Sequence, residues 1–268
     1  MASALGLIRR AALRSMWQQR RRSYGPAMTL IDTSTERSGT RTTGLDVTRI
    51  STWFGLAFTV SQLAVMVCMA IFVLPKGGSP GEDPTVWGQN VLDHIDAYRI
   101  GNYVFMVAGV LLLGFLGSVQ VRLRRADATG TLATVAVAAG TVLAFVWPYA
   151  AVLHDVALDT AEKGTDPRLL AGWDAIAPYS LAFSALPRIF FVLAVVAALR
   201  LTGGSRWMQR IGVGIVLLSA IGTATSLSAV AFPALALGSL GFDLWVGALA
   251  IGWLRDRPVS AAGLPTDG

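Results

Sequence analysis

Six stretches of this chain, residues 53–74, 102–121, 131–153, 179–199, 211–230 and 234–254, approach the length a helix needs to cross a bilayer. That length is about 20 apolar residues for a hydrocarbon core roughly 30 Å thick. Inside hydrocarbon every backbone N–H and C=O must be bonded within the protein, and a continuous apolar run of this length meets that demand as a helix. The expected fold is therefore all-α: a polytopic membrane bundle of six transmembrane helices over residues 51–257, between a tail at 1–50 and a short disordered tail at 258–268. Composition agrees, with 54% hydrophobic residues, 14% charged and a mean hydropathy of +0.58. That is too apolar for an ordinary soluble domain.

The net charge of +6 is distributed in a way that argues against nucleic acid as a partner. Nine of the 22 basic residues precede residue 51, and Arg122, Arg124, Arg125, Arg200, Arg206, Arg210, Arg255 and Arg257 fall on the same side of the six spans. Lys76, Arg99, Lys163 and Arg168 fall on the other side. Basic flanks are retained in the cytoplasm, so this asymmetry predicts a multi-pass plasma-membrane protein with both termini cytoplasmic. The outer loops, 75–101 and 154–178, carry nine acids, among them Asp83, Asp93, Asp96, Asp155 and Asp159. Aromatic residues follow the same map: Trp53, Trp207 and Trp253 near inner ends, Tyr103, Trp147, Tyr149 and Tyr179 near outer ends, where amphipathic rings favour the headgroup layer.

Residues 1–50 are polar and arginine-rich, and are expected to be a mostly disordered cytoplasmic tail. Within them Leu5, Ile8, Ala12 and Met16 share one helical face among arginines, so a short helix on anionic lipid is one reading and a solvated topogenic tail the other. Met1, Met16 and Met28 are alternative starts, and the late first apolar run, without a small-residue cleavage site after it, argues against a cleaved signal. The single cysteine, Cys68, excludes an intramolecular disulfide. Small residues at Gly130, Ala133, Ala136 and Ala139, and at Gly212, Gly214, Gly222, Gly238 and Gly241, read as helix-packing positions.

Arg188, directly after Pro187 in "SALPRIFFVLAVVAALR", lies nine residues in from the outer end of span 4, and Asp243 lies equally deep in span 6. At about 1.5 Å per residue both sit near the bilayer centre. A charge there costs about 2.5–3.5 kcal/mol on insertion scales unless paired or hydrated, so a direct Arg188–Asp243 ion pair is expected. Gln62 in span 1, with Ser219 and Thr223 in span 5, reaches the same level. Pro187 removes one backbone N–H and leaves the Phe183 carbonyl without its helical partner, which adds polarity beside Arg188. The plain reading is that the pair locks spans 4 and 6 in register. The functional readings are an anionic ligand on Arg188, or a proton or ion relay through Asp243.

The two histidines, His94 and His154, map to the outer boundary beside Asp93, Asp96, Asp155 and Asp159. They are expected to approach each other, and His94, Asp96, His154 and Asp155 form a candidate divalent-metal set that lacks any recognised ligand spacing. No cofactor is implied. No Walker A loop or dinucleotide fingerprint appears, and no internal repeat of the kind common in transporters is visible.

The segments "AYRIGNYVFMVAGVLLLGFLG" and "PYSLAFSALPRIFFVLAVVAALR", with basic turns between hairpins, resemble uncharacterised six-span membrane proteins of high-GC bacteria, over roughly residues 50–257. The resemblance implies a plasma-membrane location and carries over no catalytic residue. Three function classes follow. The first is a non-enzymatic sensor, assembly or accessory protein, acting with a membrane-protein partner or as a homo-oligomer. The second is a transporter of ions or small molecules built on the midplane cluster. The third is an outer-face metal enzyme built on the histidines.

Overall fold

The structure is a computed structural model and describes residues 46–68, 70–71, 83–161, 163–164, 166, 168, 170 and 176–256. The expectations for the amphipathic tail helix, for the start at Met16 or Met28 and for the C-terminal tail lie outside the described residues. Seven α-helices are present among the described residues: α1 Val47–Cys68, α2 Pro84–Asp93, α3 Ile95–Ala126, α4 Thr131–Ala161, α5 Ile176–Leu201, α6 Arg206–Gly222 and α7 Phe232–Arg255. Six are long and apolar enough to cross a membrane, α6 counting with the 3-10 turn that continues it to Ser226. The all-α six-span expectation is met.

Each spanning helix packs against its neighbours in sequence, and α1 returns to α7, so the six form a closed ring. α5 also reaches inward to α3 and α7. Phe58, Leu112, Phe115, Leu143, Phe191 and Phe242 fill the core, while Phe145, Phe190 and Ile221 are more than half exposed on the outer surface. Between helices in lipid the driving force is close packing rather than escape from water. Close approaches supply it here. A Cβ on Gly109 would stand 2.5 Å from the Ala144 carbonyl oxygen, one on Gly212 2.5 Å from Val196, and one on Gly222 2.8 Å from the Leu235 Cα. Gly238 is nearly as tight, and Ala133 and Ala136 are buried. Gly214 faces open space, and Gly130 is a turn residue with φ +73°.

Between α1 and α3 a hydroxyl enters the helical ladder. Ser51 Oγ donates to the Gly114 carbonyl at 2.5 Å and accepts from the Ser118 amide at 2.7 Å. Those two groups would otherwise bond each other across one turn, so Ser51 fixes the α1–α3 contact at Gly114 and Gly117. The α3–α4 turn is tied by Asp127, whose carboxylate accepts from the Thr129 hydroxyl and from the Leu132 amide. The Thr129 hydroxyl foremost, and the Leu132 amide next, hold this carboxyl below its ordinary value of 3.8.

Several boundaries differ from the sequence reading. α1 begins at Val47, so the tail ends earlier than residue 50. The stretch assigned to an outer loop contains α2, ten residues opened by Pro84 and capped by Asp83, which accepts from the Thr85 and Val86 amides. α2 packs with the start of α3 and the end of α4 through Trp87, Val91, Tyr98 and Leu158. α3 has 32 residues, about 48 Å of helix, and so projects beyond the bilayer core. α6 ends at Gly222, where span 5 had been expected to run to 230, and short 3-10 turns at Thr223–Ser226 and Ala229–Ala231 lead into α7. Trp147, expected at the headgroup layer, is 2% exposed and stacks on Phe58 in the core.

Candidate functional site

Arg188 lies halfway along α5 and Asp243 halfway along α7, both helices running from the acid-rich end toward the arginine-rich end. Both side chains are buried, at 0% and 2% exposure. The expected direct contact is not made. Among the described residues the ion pairs closer than 4.0 Å are Arg99–Asp159 and Arg122–Asp256, both at 2.9 Å and both away from the bundle centre. Arg188 and Asp243 stand farther apart than that, yet near enough for their charges to interact.

Side-chain lean explains the gap. Helical side chains tilt toward the N-terminus of their helix. The long arginine therefore carries its guanidinium about one turn toward the acid-rich end, where Nη2 donates to Ser184 Oγ at 2.9 Å. Ser184 in turn donates to the Leu181 carbonyl at 2.7 Å. The short aspartate remains near its own Cα level. The guanidinium carbon also lies 5.6 Å from the centroid of the Phe242 ring, so the residue beside Asp243 meets Arg188 with an aromatic face.

The remaining polar atoms decide what the site can do. Arg188 Nε and Nη1, Asp243 Oδ1 and Ser219 Oγ are buried without a hydrogen-bond partner. Buried polar atoms are normally satisfied, so these orphans are unusual, and Trp147 Nε1 and Thr225 Oγ1 are two more. Ser219, fully buried, lies in the last turn of α6. Gln62 is buried on the face of α1 that carries Thr59, and Thr59 Oγ1 donates to the Asp243 backbone carbonyl at 2.8 Å. Thr223 departs from the expected cluster: it caps the broken helix and donates to the Ala220 carbonyl at 2.7 Å. Sequence reasoning missed Ser184 and Thr59. Ser184 was findable as a hydroxyl four residues before Arg188, whereas Thr59 needed the α1–α7 contact.

Among the described residues the histidines are not gathered into a metal centre. His94 closes α2, with Nδ1 donating to the Asn90 carbonyl at 3.0 Å. His154 lies inside α4, with Nδ1 3.1 Å from Asn102 Oδ1, and Asn102 Nδ2 donates to Asp155 at 2.7 Å. The Tyr98 ring packs edge-on against His154. Asn102 and Tyr98 thus occupy the space where ligands would have to converge, and Asp96 is exposed. Among the described residues no three His, Cys, Asp or Glu side chains are placed to hold an ion, so the set His94, Asp96, His154 and Asp155 is not assembled.

At the arginine-rich end a cavity of about 410 Å³ opens between α3, α5 and α7 and reaches inward to Val195, Met208 and Leu249. Arg122 borders it, donating to Asp256 at 2.9 Å and to the Trp253 carbonyl at 2.8 Å. Comparison with protein-family models, curated proteins and solved structures yields no match.

Proposed function

We propose that the chain is a non-enzymatic plasma-membrane protein, both termini cytoplasmic, that binds a small anionic or polar solute at the level of Arg188 and Asp243, to sense or to carry it. The observation that carries this reading is the set of unpartnered buried atoms on Arg188, Asp243 and Ser219. A pair serving only to lock two helices gains most when charge meets charge directly, and here the two groups form no ion pair and Arg188 Nε, Arg188 Nη1 and Asp243 Oδ1 have no hydrogen-bond partner. The 410 Å³ cavity approaches the site from the arginine-rich end without reaching it. Its inner limit at Val195 is seven residues, about 10 Å, short of Arg188, behind a layer containing Phe191, Phe242 and Trp245. The hydropathy and charge pattern shared with uncharacterised six-span proteins of high-GC bacteria supports the plasma-membrane assignment.

A scaffolding or accessory role is the second reading, favoured by the Arg188–Ser184 hydrogen bond and the Phe242 ring, which hold part of the guanidinium within the protein. Thiol labelling separates the two. In a Cys68→Ser background, Ser219→Cys is expected to react with a small anionic methanethiosulfonate faster than with its cationic counterpart, and Arg188→Gln should erase that preference. A thiol at 219 that reacts only after unfolding establishes a dry scaffold instead. In the same background, Ala128→Cys should stay unlabelled in intact cells; labelling there reverses the orientation.

A further inference from the structure

We propose that the junction of α5 and α6 is a headgroup site for an anionic phospholipid, formed by Arg200, Arg206 and Arg210. A cleft of about 460 Å³ is lined by these three arginines with Gln209 and Val213, and no acid borders it. None of the three has a carboxylate partner among the described residues, whereas Arg99 and Arg122 each have one. Three guanidinium groups around one cleft repel one another, and an anion with several acceptor oxygens relieves that repulsion through charge-assisted hydrogen bonds.

The local fold sets these arginines against each other firmly. α5 ends in a Schellman motif: the Gly204 amide donates to the Leu199 carbonyl at 2.7 Å and the Gly203 amide to the Arg200 carbonyl at 3.3 Å. Gly203 supplies the φ of +65° that this ending requires. Gln209 Nε2 then donates to the Gly204 carbonyl at 2.9 Å and stitches α6 to the turn. Arg206 and Arg210, four residues apart, share one face of α6, and the turn delivers Arg200 to the same cleft.

The surroundings favour a lipid over a free phosphate. Trp207, Ile211 and Leu217 on α6 are 54%, 43% and 59% exposed, so the helix that carries Arg206 and Arg210 also presents apolar side chains on its outer surface. Gly214 leaves open space on that helix where a side chain would stand. A phosphodiester held by the arginines would lay its acyl chains along this surface, the arrangement in which basic pockets between spans hold anionic headgroups. The site is separate from the Arg188 level, Arg200 lying twelve residues farther along α5.

The test uses the full-length protein purified in mild detergent, offered phosphatidylglycerol, phosphatidylcholine or inorganic phosphate, and read by native mass spectrometry and by Tm. Phosphatidylglycerol should remain bound stoichiometrically and raise Tm, and phosphatidylcholine should do neither. Arg206→Gln/Arg210→Gln should lose both effects while its Tm in phosphatidylcholine stays at the wild-type value. Arg124→Gln/Arg255→Gln, removing equal charge at the same end, should retain them. Wild-type retention in the first double variant, equal loss in the second, or the full Tm rise with inorganic phosphate alone each overturn the proposal. Should the glutamine pair fail to fold, Arg200→Gln alone carries the same reading.

Discussion

Asp243→Ala is expected to destabilise the bundle by about 3–5 kcal/mol, and adding Arg188→Leu is expected to restore much of that loss. Arg188 is fully buried and its neighbours include one hydroxyl and one aromatic face, so Asp243 is the nearest source of neutralising charge in view. Removing the aspartate leaves a cation in a medium that solvates it poorly. Removing both leaves a core that apolar side chains can fill, although the Ser184 hydroxyl, already bonded to Leu181, survives the change without a new cost. The pair is not in direct contact, so the coupling runs through the field they share and through whatever bridges their free atoms. Equilibrium unfolding of the four members of the double-mutant cycle should give a coupling within about 0.5–3 kcal/mol. Additive effects would mean that the two charges are independent.

Gly109→Ala should cost about 1–3 kcal/mol, the usual range for overpacking, although it adds a single methyl group. Pro148 has no N–H to offer the Ala144 carbonyl, so that oxygen is free of the α4 ladder and faces α3 at Gly109. A Cβ at 109 would stand 2.5 Å from this oxygen and 2.5 Å from Pro148 Cγ. Neither a backbone carbonyl nor a proline ring can rotate aside, so the helices must separate. Gly214→Ala provides the contrast, because nothing lies within 4 Å of its Cβ position and alanine is the better helix former. Unfolding measurements should show the first variant weakened and the second unchanged or strengthened; equal effects would show that the α3–α4 approach is not tight.

What could be read from the sequence was what depends on distance along the helix axis. Length and hydropathy found the six spans, and a rise of about 1.5 Å per residue placed Arg188 and Asp243 at one level. What escaped depends on rotation about the axis and on side-chain reach. Trp147 lies at an interfacial position by count, yet its face of α4 turns inward onto Phe58. Arg188 and Asp243 each lie halfway along a helix, yet the long arginine reaches back to Ser184 and the two charges do not meet as an ion pair. α2 is ten residues long and mixes apolar with polar side chains, so it fell far short of a spanning run, although Asp83 followed by Pro84 is a helix start. Span 5 read as continuous because "GTATSLSAVAF" holds no proline before residue 233, and the break at Gly222 comes instead from its contact with Leu235 and from hydroxyls that bond back to the backbone.

The proposed solute site requires that Arg188 and Asp243 be completed by a bound polar species rather than by each other. An experimental density map of the protein in lipid nanodiscs, at a resolution that shows ordered water, tests it most directly. Non-protein density is expected within hydrogen-bonding distance of Arg188 Nε or Nη1 and of Asp243 Oδ1. A direct two-pronged Arg188–Asp243 pair with no density between helices α5, α6 and α7 would contradict it.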